Sequence, residues 1–167
     1  MADNKTIALA TTRIALGLIF LWAFVDKLFG LGFSTCRDKT THVVTYACEK
    51  AWISGGSPTT GYLGNLAGTF SSILKPLAGQ GWVDVLFMIG LLGIGLALVL
   101  GVALHLAAWS GTVLMALMWL ASLPIATNPL IDDHLIYAFV LWVLYLSAAG
   151  EHWGLAKWGK QTSPWLK

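Results

Sequence analysis

Asp132, Asp133 and His134 stand together just before an apolar stretch. An imidazole beside carboxylates can shuttle protons near neutral pH. Asp26 is a second acid of interest, because it closes the first apolar stretch. A helix C-terminus disfavours negative charge, so Asp26 calls for pairing with Lys27 or His134, or for a functional task. Arg13 lies roughly two helical turns into that same stretch. A charge placed inside a bilayer costs about 2.5–3.5 kcal/mol on insertion scales. Arg13 therefore either snorkels to the headgroups or faces inward, toward a carboxylate or a ligand oxygen. His105, Glu151 and His152 fall at the same expected edge and form one candidate cluster with it. Asp84, Asp132 and Asp133 also have a plainer reading as helix N-terminal acids favoured by the dipole.

These residues are sparse against their background. From Trp82 to Asn128 only Asp84 and His105 are ionisable. About 20 apolar residues cross a hydrocarbon core as a helix, so this run reads as two crossings joined by a very short turn. The whole chain is 57% hydrophobic and 11% charged, with a mean hydropathy of +0.73, whereas soluble domains carry about 25% charged residues. The expected fold is an all-α membrane protein, a single domain with a four-transmembrane-helix bundle. The spans are expected at residues 7–24, 83–102, 106–123 and 135–149. Trp22, Trp82, Trp119, Trp153 and Trp158 fall near span ends, where indole rings form interfacial belts.

Four spans put both termini on one side. Lys5, Lys157, Lys160 and Lys167 in the tails place that side in the cytoplasm of a cell-membrane protein. The loop of residues 28–81 then lies outside. Lys5 before an apolar stretch resembles a signal peptide, but Arg13 and the lack of a small-x-small cleavage site favour a retained helix.

The outer loop holds Cys36 and Cys48, the only cysteines. In an oxidising space they are expected to pair. Closing a loop of about 13 residues gives about 3 kcal/mol of loop-entropy stabilisation. The spacing suits a staple better than a redox-active C-x-x-C pair. Later in the loop Tyr62, Leu63, Leu66, Phe70, Ile73, Leu74 and Leu77 recur at helical spacing, which predicts an amphipathic helix. It either packs on the bundle or forms a lid over a lipid-soluble ligand.

Several classes are disfavoured. A net charge of +2 without a basic cluster gives no nucleic-acid footprint. Gly90, Gly93, Gly95 and Gly101 lack the strand and helix context of a phosphate loop and read as close-packing positions. His105 and His134 fall at opposite membrane faces and cannot share one haem. No metal is expected, since two cysteines fall short of a zinc ligand set.

Four segments together carry a resemblance. They are Arg13 to Phe20, Asp26-Lys27-Leu28, Asn128 to Tyr137, and Gly150 to Gly159 with Trp153-Gly154-Leu155 and Trp158. In them the chain resembles the DoxX/DoxD family of small four-helix membrane proteins. The resemblance implies membrane oxidoreduction, of the thiosulfate:quinone or thiol-redox kind, with quinone as cofactor. On that reading Asp132, His134 and Asp26 are the catalytic candidates. Arg13, His105 and Trp22 are the quinone-binding candidates, with Trp109, Trp119 and Trp142 as further ring walls. The alternative is a non-catalytic accessory subunit docked on a larger respiratory complex. A carrier or channel would more often show an internal repeat.

Overall fold

The computed structural model of the chain describes residues 3–38, 40–125, 128 and 130–156. Among them every regular element is helical. Helix α1 runs Asn4–Phe29. The single turns α2 (Thr60–Leu63) and α3 (Ser71–Leu74) lie in the long loop. Three further helices follow: α4 (Gly81–Leu100), α5 (Leu104–Ser122) and α6 (Asp133–Leu146).

Helices α1, α4 and α5 are each long and apolar enough to cross a membrane. Helix α6 is apolar but has 14 residues, roughly 21 Å at 1.5 Å per residue. It ends earlier than expected. Ala148 takes a left-handed φ of 50°, and Ala149–Glu151 continue as one 3-10 turn.

Helix α1 packs on α4, α4 on α5 and α5 on α6, and α1 touches α6. The core between them is aliphatic and includes Leu16, Phe20, Met88, Leu91, Ile94, Leu98, Met115, Leu141 and Leu144. The outside is also apolar. Leu18, Ile89, Val113 and Phe139 are more than half exposed. A helix that is hydrophobic all round suits lipid on its outer face.

Close approach of α1 and α4 rests on two glycines. A Cβ on Gly17 would lie 2.8 Å from Val99 Cγ2, and one on Gly95 would lie 2.7 Å from Leu21 Cγ. The expected packing role thus falls to Gly95 and Gly101, joined by Gly17; a Cβ on Gly101 would lie 2.7 Å from Arg13 Nη1 and 3.0 Å from Gly154 Cα. Gly90 and Gly93 face open space, and Gly101 is the left-handed residue ending α4.

The long loop between α1 and α4 is stapled and folded onto the helix ends. Cys36 and Cys48 form a disulfide with Cα atoms 5.7 Å apart. Ala47 N–H donates to the carbonyls of Phe29 and Gly30 at the end of α1. The continuous amphipathic helix expected from Tyr62 to Leu77 is absent. Instead α2 and α3 are separate turns, followed by a 3-10 turn, Lys75–Leu77. The break has a tertiary cause. Thr69 N–H donates to the Leu123 carbonyl at 3.2 Å, and Gly68 sits so close to that carbonyl that no side chain fits. The loop follows the end of α5 rather than its own helical period.

The glycine contrast gives a test. Gly95→Val should destabilise the protein in detergent by about 2 kcal/mol through overpacking. Gly90→Ala should be neutral or slightly stabilising, since alanine improves helix propensity by about 0.5–1 kcal/mol. Thermal melts monitored by circular dichroism read both.

Candidate functional site

Arg13 is 0% exposed. Its Nη1 donates to the carbonyl of Leu98 and, at 3.0 Å, to that of Val99. Its Nη2 donates to the carbonyls of His152 at 3.1 Å and Trp153 at 2.9 Å. The last carbonyls of a helix lack intrahelical donors and carry the negative end of its dipole. Arg13 therefore reaches inward and caps the end of α4. It does not snorkel, and its hydrogen-bond acceptors are backbone carbonyls rather than a carboxylate. Of the expected cluster, His152 meets Arg13 through its main chain. His105 is exposed and turned to Trp109 and Tyr145.

The opposite end of the bundle is held by acids. Asp26 is 1% exposed. It accepts from the N–H groups of Phe33, Ser34 and Thr35 at 3.0, 2.9 and 3.1 Å, and from the Ser34 hydroxyl at 2.7 Å. Of the expected pairings, the one with Lys27 is a charge interaction without a hydrogen bond, and the hydrogen bonds of Asp26 go to this loop rather than to His134. Lys27 Nζ donates to the Ser34 hydroxyl at 3.1 Å and lies 5.9 Å from the centre of the Phe87 ring. Asp84 does not cap α4, whose N-cap position is Gln80. Its carboxylate accepts from the Ser57 hydroxyl at 2.9 Å and from the Thr59 hydroxyl at 2.5 Å. Each acid thus fastens one part of the long loop to a helix.

Asp132 combines a structural and a chemical task. Its Oδ1 accepts from Leu135 N–H at 3.2 Å, which caps α6. Its Oδ2 lies 2.6 Å from His134 Nδ1 and accepts from the Ser122 hydroxyl at 3.1 Å. Burial pushes the Asp132 carboxyl up, but hydrogen bonds from His134, Leu135 and Ser122 with the His134 charge outweigh it and leave it below its ordinary range. An ionised carboxylate only accepts, so His134 Nδ1 carries the hydrogen. Among the described residues Nε2 of His134 makes no hydrogen bond. This is an oriented imidazole with one nitrogen open at a helix end. Asp133 is exposed in the first turn of α6.

Two neighbours of this pair were not singled out for chemistry from the sequence. Ser122 is the last residue of α5, a polar side chain at a span end. Tyr62 donates to the Met118 carbonyl at 3.1 Å. Burial, followed by the Asp132 charge, raises the Tyr62 phenol above its ordinary range. Only the folded loop brings it there.

The four tryptophans do not wall one slot. Trp22 stacks edge-on against Phe33 at 4.9 Å between ring centres. Trp119 donates to the Leu130 carbonyl at 2.9 Å. Trp109 and Trp142 do meet, at 5.0 Å, on the α5–α6 side. Trp142 donates to the Thr112 hydroxyl at 2.9 Å, and Trp109 donates to His105 Nε2 at 3.1 Å. Trp22 also borders an open apolar depression of about 590 Å³ along α1, with Leu18, Ile19, Leu21 and Val25. Among the described residues no three His, Cys, Asp or Glu side chains converge as a metal site.

Arg13→Leu should lower stability by about 3 kcal/mol, because it strands buried carbonyls. Loss of the protein from membranes, or a melt shifted well below wild type, is the expected reading. The Asp132 carboxyl titrates lower folded than unfolded. Its contribution is therefore complete above the ordinary carboxylate value, about pH 4, and disappears as pH falls through the depressed value. Hydrogen exchange in the first turn of α6 should accelerate over that acid window in wild type. Asp132→Asn should remove the acid dependence. No family model, curated protein or solved structure matches the chain.

Proposed function

We propose that the chain is the membrane subunit of a quinone-linked oxidoreductase. The observation that carries this reading is the His134–Asp132 pair, with its 2.6 Å contact and the open Nε2. In this reading α6 with its flanking residues is a fourth crossing. Both termini are cytoplasmic and the stapled loop is outside. Quinone reduction takes two electrons and two protons. His134 donates one proton to a quinone oxygen from Nε2 while Asp132 stabilises the imidazolium, and water returns the proton. The second proton comes from solvent. Both electrons come from a reduced sulfur compound or a partner subunit. The depression beside Trp22 suits an isoprenoid tail, as a pocket for an apolar ligand should. The resemblance to the DoxX/DoxD family supports the same reading, as an analogy.

A second reading has its own observation. Arg13, Asp26 and Asp84 are all engaged by the chain's own backbone and hydroxyls, which is what an accessory subunit supplying helix surface requires.

The test pairs quinone extraction from pure protein with reduction of decyl-ubiquinone by thiosulfate, with and without co-purifying subunits. His134→Ala should slow reduction about 100-fold, the usual contribution of a general acid, with an unchanged melt. Absence of bound quinone together with no reduction under any condition favours the accessory subunit.

A further inference from the structure

Helix α1 ends in a reversal. Gly30 takes a left-handed φ of 66°, and its N–H donates to the Asp26 carbonyl at 2.7 Å. The chain then returns along the helix it has just left. The N–H groups of Phe33, Ser34 and Thr35 reach back to the Asp26 carboxylate, about one turn before the end of α1. The Phe33 ring reaches further and meets Trp22 edge-on, with ring centres 4.9 Å apart. Trp22 precedes Phe29, the last residue of α1, by about 10 Å of helix at 1.5 Å per residue.

This contact is on the surface. Phe33 is 64% exposed and Trp22 47%. Leu18 and Ile19, about half exposed, share the Trp22 face of α1, since residues three and four apart on a helix are neighbours. That is an apolar face of the kind that suits lipid, and Phe33 adds a loop ring to it. Irregular backbone near hydrocarbon is tolerated only where the protein satisfies its polar groups. The segment meets that condition. Gly30 and Gly32 donate to the carbonyls of Asp26 and Thr35, and the next three N–H groups donate to the Asp26 carboxylate. The Ser34 hydroxyl donates to Asp26 and accepts from Lys27 Nζ. A loop standing in water would not need this closure, because water would satisfy the same groups. The buried Asp26 carboxylate is what such a segment requires at the edge of a bilayer.

We propose that residues 30–35 form a re-entrant hook that seats Phe33 in lipid beside Trp22. The partner is the boundary between headgroups and acyl chains, where aromatic rings settle. The inference requires α1 to cross the membrane and is independent of the quinone reading.

Site-directed spin labelling of the full chain in phosphatidylcholine liposomes tests this. Single labels go in through Phe33→Cys, through Ile19→Cys on the exposed face of α1, and through Thr41→Cys in the exposed turn between Arg37 and Val44. Collision with oxygen, which concentrates in lipid, is compared with collision with a nickel chelate, which stays in water. The Phe33 label should match the Ile19 label, with high oxygen access and near-complete loss of the nickel access seen at Thr41. Nickel access at Phe33 equal to that at Thr41 overturns the proposal. Low access to both reagents also overturns it, because protein and not lipid then covers the ring. A second measurement on the native chain decides the matter if Phe33→Cys misfolds. With fluorinated phenylalanine incorporated, the fluorine resonance missing from Phe33→Leu belongs to Phe33. It should broaden with a lipid spin-labelled near its headgroup and persist with a soluble gadolinium chelate. The reverse pattern overturns the hook.

Discussion

Helix ends impose the constraint on which this structure depends. A helix leaves four N–H and four C=O groups without intrahelical partners at its ends. Near hydrocarbon, water cannot be relied on to satisfy them. The chain answers with buried side chains. Arg13 takes carbonyls at the end of α4 and just before Gly154. Asp132 takes the Leu135 N–H in the first turn of α6. Asp26 and Asp84 do the same for the N–H and hydroxyl groups of the long loop. A buried ion without such partners would be very costly, so each ionisable group and its cluster of backbone dipoles stabilise one another.

This arrangement governs where chemistry is left over. Arg13 and Asp26 sit deep, yet their polar atoms are almost entirely engaged. The less buried His134 keeps a ring nitrogen open while Asp132 fixes its orientation. Burial alone therefore misdirects the search for function here. Residues that complete helix ends are the most buried, and those available to a ligand lie beside them.

The stapled loop belongs to the same scheme. The disulfide fixes the segment that follows Asp26's partners. Ser57 and Thr59 tie its middle to α4, and Tyr62 and Thr69 tie it to the end of α5. Its path is set by carbonyls and carboxylates at the helix ends, and α2 and α3 are what remains of its intrinsic helical tendency.

The sequence by itself determined the long helices, because twenty consecutive apolar residues leave few alternatives to a helix whose backbone satisfies itself. It also placed Cys36 and Cys48 in one loop and Asp132 at a helix start, since loop placement and capping are local features. Tertiary structure decided the rest. Arg13 meets carbonyls some 85 and 140 positions away, which no local pattern encodes. Asp26 and Asp84 bond loops whose folding depends on them. Gly17 and Gly95 differ from Gly90 and Gly93 only by the side of the helix a neighbour occupies. Helical periodicity from Tyr62 to Leu77 lost to the Leu123 carbonyl, because an unsatisfied backbone acceptor outweighs the weak propensity of a short glycine-containing segment.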